Sequence, residues 1–140
     1  MRDINTSLQR AWYEALQATG DEYWEDEEGD DRNDNLYGII GSVTVVDDSA
    51  TLSVNVQATI QISLHSKNIK YNNREALNAM AGRLFAAVKP LQYSVIDMSA
   101  YDIQMTHLTL INDVSQDTGK LGAYDYKTRI LIFRQGLFIK

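Results

Sequence analysis

The sequence predicts an α+β fold: a mostly antiparallel sheet with a long β-hairpin and two helices packed on one face. Three observations carry this. Residues 51–65 alternate without an error, Leu52, Val54, Val56, Ala58, Ile60, Ile62 and Leu64 facing one way and Ser53, Asn55, Gln57, Thr59, Gln61, Ser63 and His65 the other, a period of two that a half-buried strand produces. Two other stretches repeat their apolar residues at three and four, the helical period. After the single proline, Pro90, strand-like stretches follow one another with no helical pattern between them, the order of an α+β chain and not of a parallel α/β sheet.

The elements follow in order. Ile4, Leu8, Ala11, Trp12, Ala15 and Leu16 form the stripe of a first helix, and Gly20 is placed as its stop. Residues 21–35 are rich in Asp, Glu, Gly and Asn, with Tyr23 and Trp24 as apolar punctuation, and read as a solvated loop. β-Branched residues dominate 36–46, broken by Gly38 and Gly41, and Asp47, Asp48 and Ser49 supply turn chemistry before the long strand. At ~3.3 Å per residue that strand spans about 45 Å, so it bends or reaches past its own domain. A second helix opens with Asn72 as N-cap and Glu75 three residues on, a capping box. Its stripe is Ala76, Leu77, Met80, Ala81, Leu84 and Val88, and Pro90 ends it near Lys89. Strands are expected at 92–97, 103–111 and 123–133. In the last, Tyr124, Tyr126, Thr128, Ile130 and Ile132 share one face, and Asp125, Lys127 and Arg129 the other. In the middle one the parity changes between Met105 and Leu108, which predicts a bulge near His107.

A chain of 140 residues suits one domain with its own core. The net charge of −6 conceals an asymmetry: nine of the nineteen acidic residues lie between positions 21 and 34 with a single arginine, Arg32. That segment carries about −8 and the remainder about +2, so the body lacks the basic field of a DNA-binding protein. With no cysteine and two histidines, His65 and His107, there is no thiol chemistry and little for a zinc site. The sequence shows no membrane-spanning run and no signal peptide, which places the expected site of assembly in the cytoplasm.

Candidate chemistry is sparse. The acidic run has calcium-type ligands, but reading a calcium loop from Asp26, Asp30 or Asp31 gives neither alternate carboxylates with glycine sixth nor glutamate twelfth. Asp125 and Lys127, with Asp113 or Asp117, have the residue types of a metal-dependent nuclease. The same string arises from alternating charges on a wet strand face. The Gly119–Lys120 pair is followed by a strand and not by a helix, so it reads as a loop between strands and not as a phosphate cradle. The chain ends Gly136-Leu137-Phe138-Ile139-Lys140. Such an apolar ending either docks on a partner or completes its own core. No catalytic residue, metal or cofactor is expected.

The layout of a helix, a hairpin ending in the long alternating strand, a helix of the form Asn-x-x-Glu-Ala-Leu-x-x-Met-Ala-x-x-Leu at 72–84, and a last strand carrying Asp125, Arg129, Leu131 and Phe133 resembles the tail terminator and neck proteins of tailed bacteriophages. The resemblance implies a non-enzymatic virion subunit that forms a ring, typically six-fold, capping the tail tube and joining it to the head connector. DNA would pass through its centre without sequence-specific binding. On that reading Leu137, Phe138, Ile139, Gln57, Thr59 and Gln61 are candidates for contact between copies. Tyr23, Trp24, Glu25, Asp26, Glu27 and Glu28 are candidates for a neighbouring ring or for the channel. The acidic excursion departs from the compact family pattern. The alternatives are a small adaptor or binding module, and a nuclease using Asp113, Asp125 and Lys127.

Overall fold

A computed structural model describes residues 4–25, 36–47, 54–68, 73–89, 91, 94–121 and 124–139. The elements are α1 (Asn5–Leu16), β1 (Tyr23–Trp24), β2 (Leu36–Asp47), β3 (Val54–Asn68), α2 (Asn73–Val88), β4 (Ile103–Leu121) and β5 (Tyr124–Ile139), with single 3-10 turns after α1 and before β4. They build one sheet in the order β1-β2-β3-β5-β4. Its four long strands are antiparallel, and only the two-residue β1 runs parallel to its neighbour.

Both helices lie on one face, because both reach the same ring. Trp12 of α1 sits 4.9 Å from Phe133 of β5 and Phe85 of α2 sits 6.3 Å from it, centroid to centroid. Leu8 and Leu16 of α1, Met80, Leu84 and Val88 of α2, and Ile60 and Ile62 of β3 belong with Phe133 to one core, all essentially without solvent contact. The helical stripes and the dry face of β3 are thus the predicted ones. Gly20 ends the turn after α1 in the left-handed region (φ 77°), where glycine bears no side-chain penalty.

One polar group crosses this core. Trp12 Nε1 donates to Gln135 Oε1 (3.1 Å), and Gln135 Nε2 donates to the carbonyl of Ala58. Gln135 is fully buried, and its amide ties α1 to the β3–β5 ladder with both hydrogen-bonding ends satisfied.

Four expectations are corrected. Residues 94–98 carry no regular structure: Val95 and Ile96 are apolar, yet among the described residues they enter none of the strand ladders. β4 runs on through Leu121, and the ladder continues to Leu121↔Tyr124 past a register shift between Asp117 and Gly119, so 117–121 is strand and not a connecting loop. In β5 the helix-facing row is Arg129, Leu131, Phe133, Gln135 and Leu137, since these stand opposite Leu64, Ile62, Ile60, Ala58 and Val56. Ile130 and Ile132 face the other way, and the apolar row predicted from them is the helix-free one. Finally, Tyr23 and Trp24 are not loop residues but form β1 against Gly38 and Ile39. The bulge expected near His107 is present, as a register shift between Met105 and His107. The Asn72 cap, the Pro90 stop and residues 26–35 lie outside the described residues, although α2 does end at Val88.

The burial of Gln135 generates a prediction. Gln135→Ala removes the hydrogen bonds to the buried Trp12 N–H and to the Ala58 carbonyl and opens a small cavity. Together these cost about 2–4 kcal/mol, read as a lower urea midpoint at unchanged slope.

Candidate assembly surfaces

The strand registers sort the predicted interface residues onto surfaces. Gln57, Thr59 and Gln61 stand opposite Gly136, Arg134 and Ile132 on the helix-free face of the sheet, each half-buried. There Thr44, Val46, Gln57, Thr59, His107 and Arg134 line an open groove. His107 Nε2 donates to Gln57 Oε1 (3.2 Å), which leaves Nδ1 to accept from the Thr106 hydroxyl (3.4 Å), so one tautomer satisfies both. Position 136 must be glycine for this, because a Cβ there would collide with the His107 ring. His65, on the same face, stacks on Tyr37 with ring centroids 5.0 Å apart.

The apolar ending is the last part of β5, paired on both sides. Gly136, Leu137, Phe138 and Ile139 bond to residues 54–57 of β3 on one flank and to residues 103–107 of β4 on the other. Leu137 is buried in the domain's own core, whereas Phe138 and Ile139 are half-buried. Of the three candidates, the latter two retain surface that a partner could cover.

The start of the acidic run is moored to the body. Arg83 of α2 grips Asp21 through two hydrogen bonds (Nε–Oδ2 2.7 Å, Nη2–Oδ1 2.8 Å), and Arg10 of α1 lies 3.6 Å from Glu25. The amide of Gly38 donates to the carbonyl of Glu22 (2.8 Å). Tyr23 is buried beside Gly38, where any side chain would meet its ring. Its hydroxyl has no hydrogen-bond partner among the described residues. Burial, reinforced by the Asp21 carboxylate, pushes that phenol far above its ordinary range. Trp24 is half-buried and Glu25 exposed; Asp26, Glu27 and Glu28 lie outside the described residues.

Of the positions in the nuclease alternative, Asp117 stands opposite Lys127, whereas Asp113 lies apart from Asp125 along the sheet. Asp113 is held by Arg129 of β5 in a bidentate pair (2.6 and 2.9 Å), and Arg129 also donates to Asn78 of α2 (2.9 Å) and lies over the Phe85 ring. Asp113 stands opposite Leu131, whereas Asp125 stands opposite Lys120. Six residues of strand separate the two, about 20 Å, against the ~4 Å spacing of a shared metal site. Among the described residues no group of three His, Asp or Glu side chains is placed to hold a metal ion. The Arg129 guanidinium holds the Asp113 carboxyl below the usual carboxylate range through its hydrogen bonds, and Asp113 in turn raises Arg129.

From the sequence neither Gln135 nor Arg83 is singled out, and Arg129 is named only as part of the last strand's pattern. A glutamine inside an otherwise apolar strand end is the one local signal, for Gln135. The Arg83–Asp21 pair spans 62 positions, and nothing local announces it.

No protein-family model matches the chain, and no curated protein matches it. Among solved structures the fold is similar to a chain of the virion of a native gene transfer agent particle. The TM-score is 0.69 and the identity 19%, and the alignment covers 94% of both chains.

Two stability tests follow from these geometries. A carboxyl depressed in the folded state contributes stability above its unfolded pKa of about 4, which is lost as the pH falls through the folded value. Asp113→Asn therefore lowers stability at pH 7 by about 0.5–1 kcal/mol, the range of a part-exposed pair, and flattens the acid limb of a stability–pH curve. Tyr23 has the opposite sign, since a raised phenol keeps its stability below pH ~10 and loses it above. Tyr23→Phe leaves thermal stability at pH 7 equal or higher, because no hydrogen bond is lost, and it removes that alkaline loss.

Proposed function

We propose that this chain is a non-enzymatic structural subunit of a phage-like virion, most specifically a tail terminator. It would form a ring that caps the tail tube and joins it to the head connector. The observation that carries the reading is the likeness to a gene transfer agent virion chain over 94% of both chains, from an independent direction to the resemblance read in the sequence. The separation of Asp113 from Asp125 along the sheet weighs against the nuclease alternative.

The mechanism is geometric. Copies of the chain close a ring that stops tube growth, and its two ends match different neighbours. DNA passes through without being read, in keeping with a body of near-neutral charge. In the acidic segment about eight net negative charges within fourteen residues demand water or basic partners. Arg83 and Arg10 hold its start beside a half-buried Trp24, and an aromatic next to charge suits a junction with a neighbouring protein better than a bare channel lining.

The test is assembly and joining. The purified protein, alone or with tail tubes, forms ring-sized oligomers in mass photometry; a protein that stays monomeric in both conditions contradicts the reading. Changing Glu25, Asp26, Glu27 and Glu28 together to Ser weakens head-to-tail joining in a salt-sensitive way while rings still form. Normal joining with slowed DNA passage would instead put the segment in the channel.

A further inference from the structure

The sheet ends in two unequal edges, and what each leaves open is complementary. Along one side β4 has no neighbour among the described residues; on the other, β1 covers only Gly38 and Ile39 of β2. Beyond the β2 bulge the segment Val43–Asp47 is therefore paired, among the described residues, on its β3 flank alone. On β4, residues 112–117 form an unbroken ladder with β5 between two register shifts, Leu110/Asn112 and Asp117/Gly119. The two regular free stretches are nearly equal in length.

They also carry the apolar exposure. Of the five large apolar side chains exposed on the described surface, three stand on these edges: Val46 (61%) on β2, and Ile111 (44%) and Val114 (38%) on β4. By register Val46 and Val114 both face the helix-free side, Val46 opposite Gln57 and Val114 opposite Ile130. An unprotected edge bearing apolar side chains is a template for another strand, and here the templates lie at opposite ends of one sheet.

Strand direction decides how a second copy fits. The order β2-β3-β5-β4 alternates direction at every step. A copy set beside the first with its strand directions kept therefore brings its β2 antiparallel against β4 of the first, with both helix layers on the same side. Since Val46 is level with His107 and Val114 with Ile39, joining the two regular stretches also slides the copy about six residues, ~20 Å, along the strands, so the assembly axis is inclined to them. The contact is head-to-tail and leaves a free edge at each end, the kind that closes into a ring when the rotation permits.

We propose that the β2 segment Val43–Asp47 of one copy pairs antiparallel with β4 residues 112–117 of the next, making one continuous sheet in which Val46 packs beside Val114 and Ile130 of its neighbour. The proposal rests on the ring reading and names the surfaces that build the ring.

The chain has no cysteine, so disulfide trapping reads the contact directly. Val46→Cys is combined in turn with Asn112→Cys, Val114→Cys or Gln116→Cys, the positions of β4 that share its face, and assembled protein is oxidised. One combination gives a covalent ladder reaching the full ring on a non-reducing gel. Its yield is at least about tenfold above that of Val46→Cys with Gln17→Cys on the exposed turn after α1, because only sulfurs held at bonding distance bridge efficiently. Ring-sized oligomers with no ladder above that control overturn the edge pairing and leave the ring reading intact. Monomers throughout, with no ladder, overturn both.

Discussion

The arrangement depends on β5 being held between two partners. Along its whole length this last strand is bonded to β3 on one flank and β4 on the other, and it delivers Phe133 to the point where both helices meet the sheet. Without β5 the hairpin of β2 and β3 has no dry face broad enough to bury α1 and α2, and β4 has no neighbouring strand among the described residues. A buried amide fixes the register: Gln135 reaches the Ala58 carbonyl only when residues 58 and 135 stand opposite. A slip by one would bury the wrong row of side chains.

Because the helices consume one face, everything available to partners lies elsewhere. The helix-free face is a mosaic of Thr44, Gln57, Thr59, Arg134 and His107, with isolated apolar groups in place of a second core. Such a surface resists collapse onto itself and still accepts a shaped neighbour. The charged residues nearest the helices are mostly committed inside the domain: Arg83 to Asp21, Arg129 to Asp113 and Asn78. These pairs orient elements and leave long-range attraction to the acidic segment, whose excess charge the body does not neutralise.

Where one physical constraint ruled a segment, its structure was legible. β3 is dry on one face over its length, so its period of two was unmistakable, and the stripes of α1 and α2 were as plain. β5 misled because both its faces carry apolar residues: Ile130 and Ile132 line the helix-free side, while Arg129 and Gln135 stand in the helix-facing row, made tolerable by Asn78 and Trp12 on distant elements. Residues 117–121 have turn composition, yet ladder pairing with β5 carried them into a strand. The opposite happened at 94–98, where apolar residues found no partner strand. The surfaces for assembly were legible only as residue types. Which of them lie on a free edge is a property of strand order, and strand order is set by contacts far apart in sequence.

The claim that joins these threads is that an otherwise ordinary two-layer domain works by position, as one segment of a ring at the end of a tube. Electron microscopy of tail tubes incubated with gold-labelled protein tests it most directly. The account predicts a single ring of label at one end of each tube, with tube lengths fixed thereafter. Label scattered along the tubes or absent from them, with growth continuing, would contradict it.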